Sequence, residues 1–243
     1  SCRESCVMKA YLLAAGLGTR LKPLTDRIPK CLVPINGQPL LGIWFDLCAE
    51  HGISEVLVNL HHLPDAVRAF VAAYDGPVRI VTVFEPNLLG SAGTVASQRD
   101  FVAGEQAFWI LYADNLTNVS LTRMLAFHRA RHAEFTIGLA PTDTPQEKGI
   151  VTLDGDGRVC DFTEKPAQPR SNLANAGIYL AGPGLFPLLD GPIPQPFDFG
   201  FHVLPRLVGR MHGYTITEYL KDIGSPAALA SAEAQWPLHK TSL

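Results

Sequence analysis

No stretch of this chain stays apolar for the roughly 18 residues that a membrane-crossing helix needs, and the first residues read as lacking a secretory hydrophobic region. A charge of one sign is missing as well. The 20 Lys and Arg are met by 23 Asp and Glu, a net charge of -3, so no molecule-wide basic field for nucleic acid is expected. Trp44, Trp109 and Trp236 form no ordered aromatic stripe for stacking bases and read as packing residues. The five cysteines, Cys2, Cys6, Cys31, Cys48 and Cys160, match no compact zinc spacing. They read as reduced thiols, which points to a cytoplasmic protein. No internal repeat or low-complexity tract is present. Membrane spanners, general nucleic-acid binders and repeat arrays are thereby disfavoured.

What the chain has is core-forming material. Of 243 residues, 47% are hydrophobic, enough for one large domain, expected over residues 8–243 behind an N-terminal tail or cloning remnant at residues 1–7. Short apolar runs alternate with helix-like segments. Strands are expected at 9–14, 55–60, 78–84, 108–113 and 135–140, and helices at 40–51, 65–74, 93–102 and 121–132. Further on, 150–153 and 159–164 flank the turn DGDG as a hairpin, 175–180 reads as a strand and 202–208 as a helix. This succession predicts an α/β fold: a Rossmann-like, mostly parallel mixed sheet flanked by helices, with a small β subregion.

The densest chemical signal is LAAGLGTRLKPLTDRIPKCLVPINGQPL, from Leu13 to Leu40. Gly16 and Gly18 let backbone amides approach phosphate oxygens, and Thr19 adds a hydroxyl. Arg20 offers directed donors and Lys30 a point charge, with Pro23 and Pro29 stiffening the loop between them. The segment completes neither a Walker A motif nor a dinucleotide fingerprint. It resembles the pattern GxGTRLxPLT followed by PKxLxPxxGxP of the sugar-1-phosphate nucleotidyltransferase family. The resemblance extends from Met8 to about Trp236.

That resemblance implies a set of roles. Leu13, Ala15, Gly16, Gly18, Thr19, Arg20 and Lys30 would surround the nucleotide, with Arg20 assisting pyrophosphate departure. YADN at 112–115 is similar to the family's metal segment and KDIGSP at 221–226 to its second, so Asp114 and Asp222 would hold Mg2+. Read alone, either aspartate could cap a helix or satisfy a turn. FEPNLLGSAGTV at 84–95 resembles the base and ribose region, giving Glu85, Gly90 and Gly93 nucleotide contacts; Ser91 replaces the usual threonine. FTEKP at 162–166 and NAGIYL at 175–180 resemble the sugar-phosphate segments, so Glu164, Lys165 and Asn175 would meet the acceptor, joined by Gly149 of KGIV, where the family often lets backbone approach the sugar, and by Asn115 of YADN. A Glu164–Lys165 surface ion pair and a turn at Asn175 are the plain structural readings. His61 and His62 read as structural or surface residues. His202, in FDFGFHVLP, stands where relatives commonly have an acid.

The implied reaction is direct attack of a sugar 1-phosphate on the α-phosphorus of a nucleoside triphosphate, releasing pyrophosphate. Arg20, Lys30, Asp114 and Asp222 would be the catalytic set. An ionised phosphate needs no general base, which fits a site of cations and carboxylates rather than a Ser-His-Asp array. The spacing of Glu85 followed by LGSAG looks most like guanylyltransferase members using mannose or heptose phosphates, and Glu85 can accept from guanine's amino edge, so the resemblance implies GTP as donor and a mannose-like or heptose-like 1-phosphate as acceptor. Thymidylyl, uridylyl or cytidylyl transfer is the alternative within enzymes. A noncatalytic nucleotide-sensing or assembly protein is the alternative outside them. No nucleic-acid or membrane partner is expected, and the oligomeric state is not legible.

Overall fold

A computed structural model describes residues 8–192 and 194–239; the expected tail at residues 1–7 lies outside them. In chain order the first elements are β1 (Met8–Leu13), β2 (Pro34–Ile35), β3 (Gln38–Pro39), α1 (Leu40–Glu50), β4 (Ile53–Leu60), α2 (Pro64–Ala72) and β5 (Arg79–Phe84). The middle holds α3 (Ser91–Ser97), β6 (Phe108–Tyr112), β7 (Asn115–Thr117), α4 (Leu121–Ala130) and β8 (Phe135–Pro141). β9 (Gly149–Leu153), β10 (Val159–Glu164), β11 (Leu173–Ala181), β12 (Met211–Thr215), β13 (Leu220–Asp222) and α5 (Pro226–His239) complete it. The described residues form two compact units, one of 8–87, 112–118 and 219–239, the other of 88–111 and 119–218.

In the first unit β1, β4 and β5 pair in parallel, with Ala10 beside Val56 and Val56 beside Ile80. Val56, Leu57, Val58 and Leu60 of β4 are buried, as a parallel strand covered on both faces requires. α1 is apolar on most sides because most of it is inside: Leu40, Leu41, Ile43, Trp44, Phe45, Leu47 and Cys48 are all buried. It stops at Gly52, whose φ of 73° is a backbone state that glycine adopts freely. Two small antiparallel pairs carry the rest. β2 and β3 turn through Asn36 and Gly37, both at positive φ. β7 pairs with β13 so that Asn115 lies opposite Asp222.

In the second unit β11 is the hub, antiparallel to β6, β8 and β9, while β12 runs parallel to β8. β9 and β10 make the expected hairpin. Its turn is tied by Asp154, whose Oδ1 accepts from the amides of Asp156 and Arg158 at 2.9 Å each. Tyr179 of β11 packs between Phe135 and Phe199, with ring centroids 5.5 and 5.4 Å away. α4 begins at Ser120, whose hydroxyl caps the Arg123 amide.

The mixed sheet flanked by helices agrees with the expectation. β1 with β4, β4 with β5 and β8 with β12 pair in parallel, whereas the strands around β11 run antiparallel to it, so less of the sheet is parallel than expected. Two expected helices are broken. Residues 93–102 divide into α3 and a separate 3-10 turn, Arg99–Val102. Residues 202–208 are not an α-helix: a π turn, Phe199–Val203, runs into a 3-10 turn, Leu204–Leu207, where Pro205 has no amide to donate. No helix among the described residues is long and apolar enough to cross a membrane.

Candidate active site

β1 delivers the chain into the glycine loop, and the loop is pinned from inside. Gly18 has φ 63°, and a Cβ there would sit 2.7 Å from Thr25 Cγ2 and 3.2 Å from Lys30 Cβ. Only glycine lets the loop fold onto its own later half. Thr25 is fully buried and donates its hydroxyl to the Gly18 carbonyl at 2.7 Å. A His62 ring nitrogen lies 2.7 Å from the Thr25 carbonyl, which gives that histidine the structural role expected of it. Thr19 and Arg20, in the short 3-10 turn Thr19–Leu21, are exposed beside this buckle.

Lys30 is the centre of the first cluster. It is 8% exposed, and its Nζ lies 2.8 Å from Asp114 Oδ2 and 3.8 Å from Asp222 Oδ1. A buried ammonium is tolerated only with such partners. The two aspartates, far apart in sequence, are brought together by the β7–β13 pairing and by the Ile223 amide, which donates to the Asp114 carbonyl at 2.9 Å. Arg20 reaches the same place. A Cβ on Gly224 would lie 2.7 Å from an Arg20 guanidinium nitrogen and 3.0 Å from Asp222 Oδ1. Asn115 is buried, and its carbonyl accepts from the Trp44 indole at 2.8 Å.

Magnesium is the metal that the resemblance implies. Among the described residues no three His, Cys, Asp or Glu side chains gather into a metal-holding group. The Asp114 and Asp222 carboxylates are the right kind of donor for it: hard oxygens, two in number, leaving positions for substrate phosphate and water. They already converge on one cation of the protein's own, the Lys30 ammonium.

Glu85 follows β5 and is 3% exposed. Its Oε1 accepts from Asn59 Nδ2 at 3.1 Å, and Asn59 Oδ1 in turn accepts from the Ala14 amide at 2.7 Å. A His61 ring nitrogen lies 2.7 Å from the Glu85 carbonyl. Asn59 therefore links the expected base-reading residue to the chain between Leu13 and Ala15 at the mouth of the loop. Sequence reading missed it. Its signal was present, a lone amide inside the apolar strand EVLVNL.

The second unit gathers Gly149, Glu164 and Lys165. Glu164 ends β10 opposite Gly149 on β9. Its Oε2 would be 2.5 Å from a Cβ on Gly149 and equally 2.5 Å from one on Gly200, so both glycines make room for the carboxylate. Burial pushes the Glu164 carboxyl above its ordinary range, with Asp198 adding to the rise and Lys165 and Lys148 opposing it. Lys165 adopts φ 48°, its amide donates to the Lys148 carbonyl at 2.9 Å, and its side chain is exposed. Asn175 is held at both ends of its amide, donating to the Tyr179 hydroxyl at 2.8 Å and accepting from the Gly177 amide at 2.9 Å.

Gly90 and Gly93 lie against Phe197. A Cβ on Gly90 would be 2.5 Å from the Phe197 carbonyl oxygen, which accepts from the Ala92 and Gly93 amides at 2.9 and 3.0 Å. Ser91 donates its amide to Asp198 Oδ1 at 3.2 Å and accepts the Phe199 amide on its hydroxyl at 2.9 Å. The serine that replaces the usual threonine thus clasps the FDF segment.

Buckled glycines, an arginine, a buried lysine and two carboxylates on neighbouring strand ends form the kind of array that handles polyphosphate with a divalent ion. The Nucleotidyl transferase family model matches residues 9–237, and the chain belongs to that family. It is 30% identical over 226 residues to the mannose-1-phosphate guanyltransferase of Schizosaccharomyces pombe, covering 90% of this chain and 61% of that one. It is 33% identical over 218 residues to the UTP–glucose-1-phosphate uridylyltransferase of Synechocystis, covering 83% and 55%. The chain thus spans about three fifths of the length of these curated relatives. Among solved structures, it resembles HddC from Yersinia pseudotuberculosis with TM-score 0.79 at 22% identity, covering 95% and 100% of the two chains. It resembles apo UDP-glucose pyrophosphorylase with TM-score 0.83 at 18% identity, covering 96% and 99%.

Proposed function

We propose that the protein transfers a nucleoside monophosphate from a nucleoside triphosphate to a sugar 1-phosphate, forming a nucleotide sugar and pyrophosphate. The carrying observation is Lys30 held by Asp114 and Asp222, with the Arg20 guanidinium bordering the same Gly224 as Asp222. In the proposed reaction the glycine-loop amides and Lys30 bind the triphosphate, and Arg20 stabilises charge as pyrophosphate leaves. Asp114 and Asp222 would hold Mg2+, which when bound supplies charge neutralisation on the phosphates. Lys165 orients the acceptor phosphate. Glu164, Asn175 and the Gly149 backbone serve the sugar hydroxyls, and Asn115 completes the acceptor set. A noncatalytic sensor would have no use for Lys165 and Glu164 together.

For the finer specificity, GTP with a mannose-like or heptose-like 1-phosphate is our first reading, supported by Glu85 and by the guanylyltransferase relatives. UTP is the second. It is favoured by the 33% identity to the uridylyltransferase and by the burial of Glu85 against Asn59, which turns one carboxylate oxygen inward. The experiment is a matrix of nucleoside triphosphates against hexose and heptose 1-phosphates, read by pyrophosphate release and product mass. The highest kcat/KM is expected with GTP and a manno-configured acceptor, with Glu85→Gln eroding that advantage. A best pair with UTP, insensitive to Glu85→Gln, selects the second reading; no pyrophosphate with any pair defeats the transferase reading.

A further inference from the structure

Phe201 is out of place for a phenylalanine. It lies in FDFGFH, and within that run Phe197 and Phe199 are 3% and 0% exposed while Phe201 is 57% exposed. Its exposure is not a consequence of a loose segment. The residues before it are clasped by Ser91 through Asp198 and Phe199, Phe199 packs on Tyr179, and His202 donates its amide to the Asp198 carbonyl at 3.0 Å. The π turn Phe199–Val203 shifts the side-chain phase so that the third ring of the run points outward. A turn of this type, rigidly held and presenting an apolar ring to water, carries a desolvation gain for whatever covers it.

What lies beside the ring names the occupant. Lys165 Nζ is 5.9 Å from the Phe201 ring centroid. Gly200, the residue before Phe201, leaves the space that the Glu164 carboxylate fills, with Oε2 2.5 Å from where its Cβ would be. A cation suited to phosphate, a carboxylate suited to hydroxyls and an exposed aromatic face therefore adjoin one another within one unit. A pyranose phosphate presents the matching three features. Its phosphate is anionic, its hydroxyls donate, and one ring face carries C–H bonds polarised by neighbouring oxygens, which the negative face of an aromatic ring attracts.

We propose that Phe201 is a specificity-determining residue, a platform on which the C–H face of the acceptor sugar stacks while Lys165 holds its phosphate. The inference rests on the reading of Lys165 as the acceptor-phosphate residue. It predicts discrimination by ring face: sugars whose axial hydroxyls interrupt the stacked face bind less well than those with a continuous C–H face.

Two measurements test it. In steady-state kinetics, Phe201→Ala should raise the acceptor KM about three- to tenfold, with kcat and the nucleotide KM unchanged, and Phe201→Tyr should restore it. Independently of turnover, Phe201→Trp introduces an exposed indole into a protein whose own Trp44, Trp109 and Trp236 are buried. Its fluorescence should respond to a sugar 1-phosphate and not to inorganic phosphate. If no nucleotide and sugar pair supports transfer, the transferase reading fails while the fluorescence titration still decides the platform. An acceptor KM within twofold of wild type in a folded Phe201→Ala variant overturns the proposal. So does equal fluorescence with phosphate alone, or a wild-type dimer that Phe201→Ala dissociates without changing sugar affinity.

Discussion

The two units organise their functional groups by different physics. In the first, opposite charges hold each other: Lys30 is buried because Asp114 and Asp222 meet it, and the Arg20 guanidinium and the Asp222 carboxylate both border Gly224. In the second, the groups are placed by missing side chains. Gly149 and Gly200 make room for Glu164, Gly90 lets α3 meet Phe197, and the cation Lys165 stands in water. Charge pairing leaves a mark on residue identity that can be read directly. Clearance depends on which glycine faces which carboxylate, and that is set only when the strands pair.

The sharpest way to break this contrast is to remove a carboxylate from the first unit. Asp222→Asn and Asp114→Asn should each lower kcat about 100- to 1000-fold while metal-free nucleotide binding changes little. Near-normal magnesium-dependent turnover in both folded variants would sink the paired-metal proposal. Arg20→Ala should follow, with a loss of about 100-fold in kcat and an unchanged acceptor KM, because its partner is charge that develops during transfer. The second unit should answer in the opposite parameter. Lys165→Ala should raise the acceptor KM about tenfold or more through loss of one charge-assisted contact, with a smaller change in kcat. A kcat defect for Lys165→Ala with an acceptor KM defect for Arg20→Ala would invert the assigned roles.

Clearance itself is testable by stability. Gly90 combines φ 84° with a Phe197 carbonyl oxygen 2.5 Å from where a Cβ would be, so Gly90→Ala should destabilise the fold by about 2 kcal/mol in chemical denaturation. Gly155→Ala, with no neighbour within 4 Å of its added carbon, is the control and should be near neutral.

A pH dependence in the second unit tests burial there without any change of sequence. His128 is buried with a ring nitrogen 2.8 Å from Thr136 Oγ1, and burial, helped by Arg129 and His212, lowers its pKa from 6.5 to about 4. The unfolded chain therefore takes up the proton first. The neutral ring's contribution is full above pH 6.5 and is lost as pH falls through about 4, so thermal stability should decline over that window. His128→Gln should flatten the decline. An unchanged slope would show that other groups set it.

Much of the fold could be read before any coordinates. β1, α1, β4, α2 and the β9–β10 hairpin lie within one or two residues of their expected ranges, because each is a run of one period ended by glycine, proline or a tight turn. Residues 202–208 depart from the expected helix because their apolar spacing resembles one while Pro205 and the preceding π turn forbid it. α5 was missed. Its sequence PAALASAEAQWPLH has no clear apolar stripe, and it is seated instead by particular contacts, Asn36 on the Glu233 carbonyl at 2.9 Å and Tyr219 on Trp236.

For the candidate site, residue types along Leu13–Leu40, YADN and KDIG determined that cations, glycines and carboxylates suited to polyphosphate would be present, since that chemistry depends on identity and short spacing. Tertiary structure decided the rest. Strand register placed Asp222 opposite Asn115 and so beside Lys30; burial turned Glu85 toward Asn59; a π turn set Phe201 outward next to Lys165. Each of these depends on which backbone a residue meets after the chain has crossed itself, and no local pattern encodes a neighbour that arrives from far along the chain.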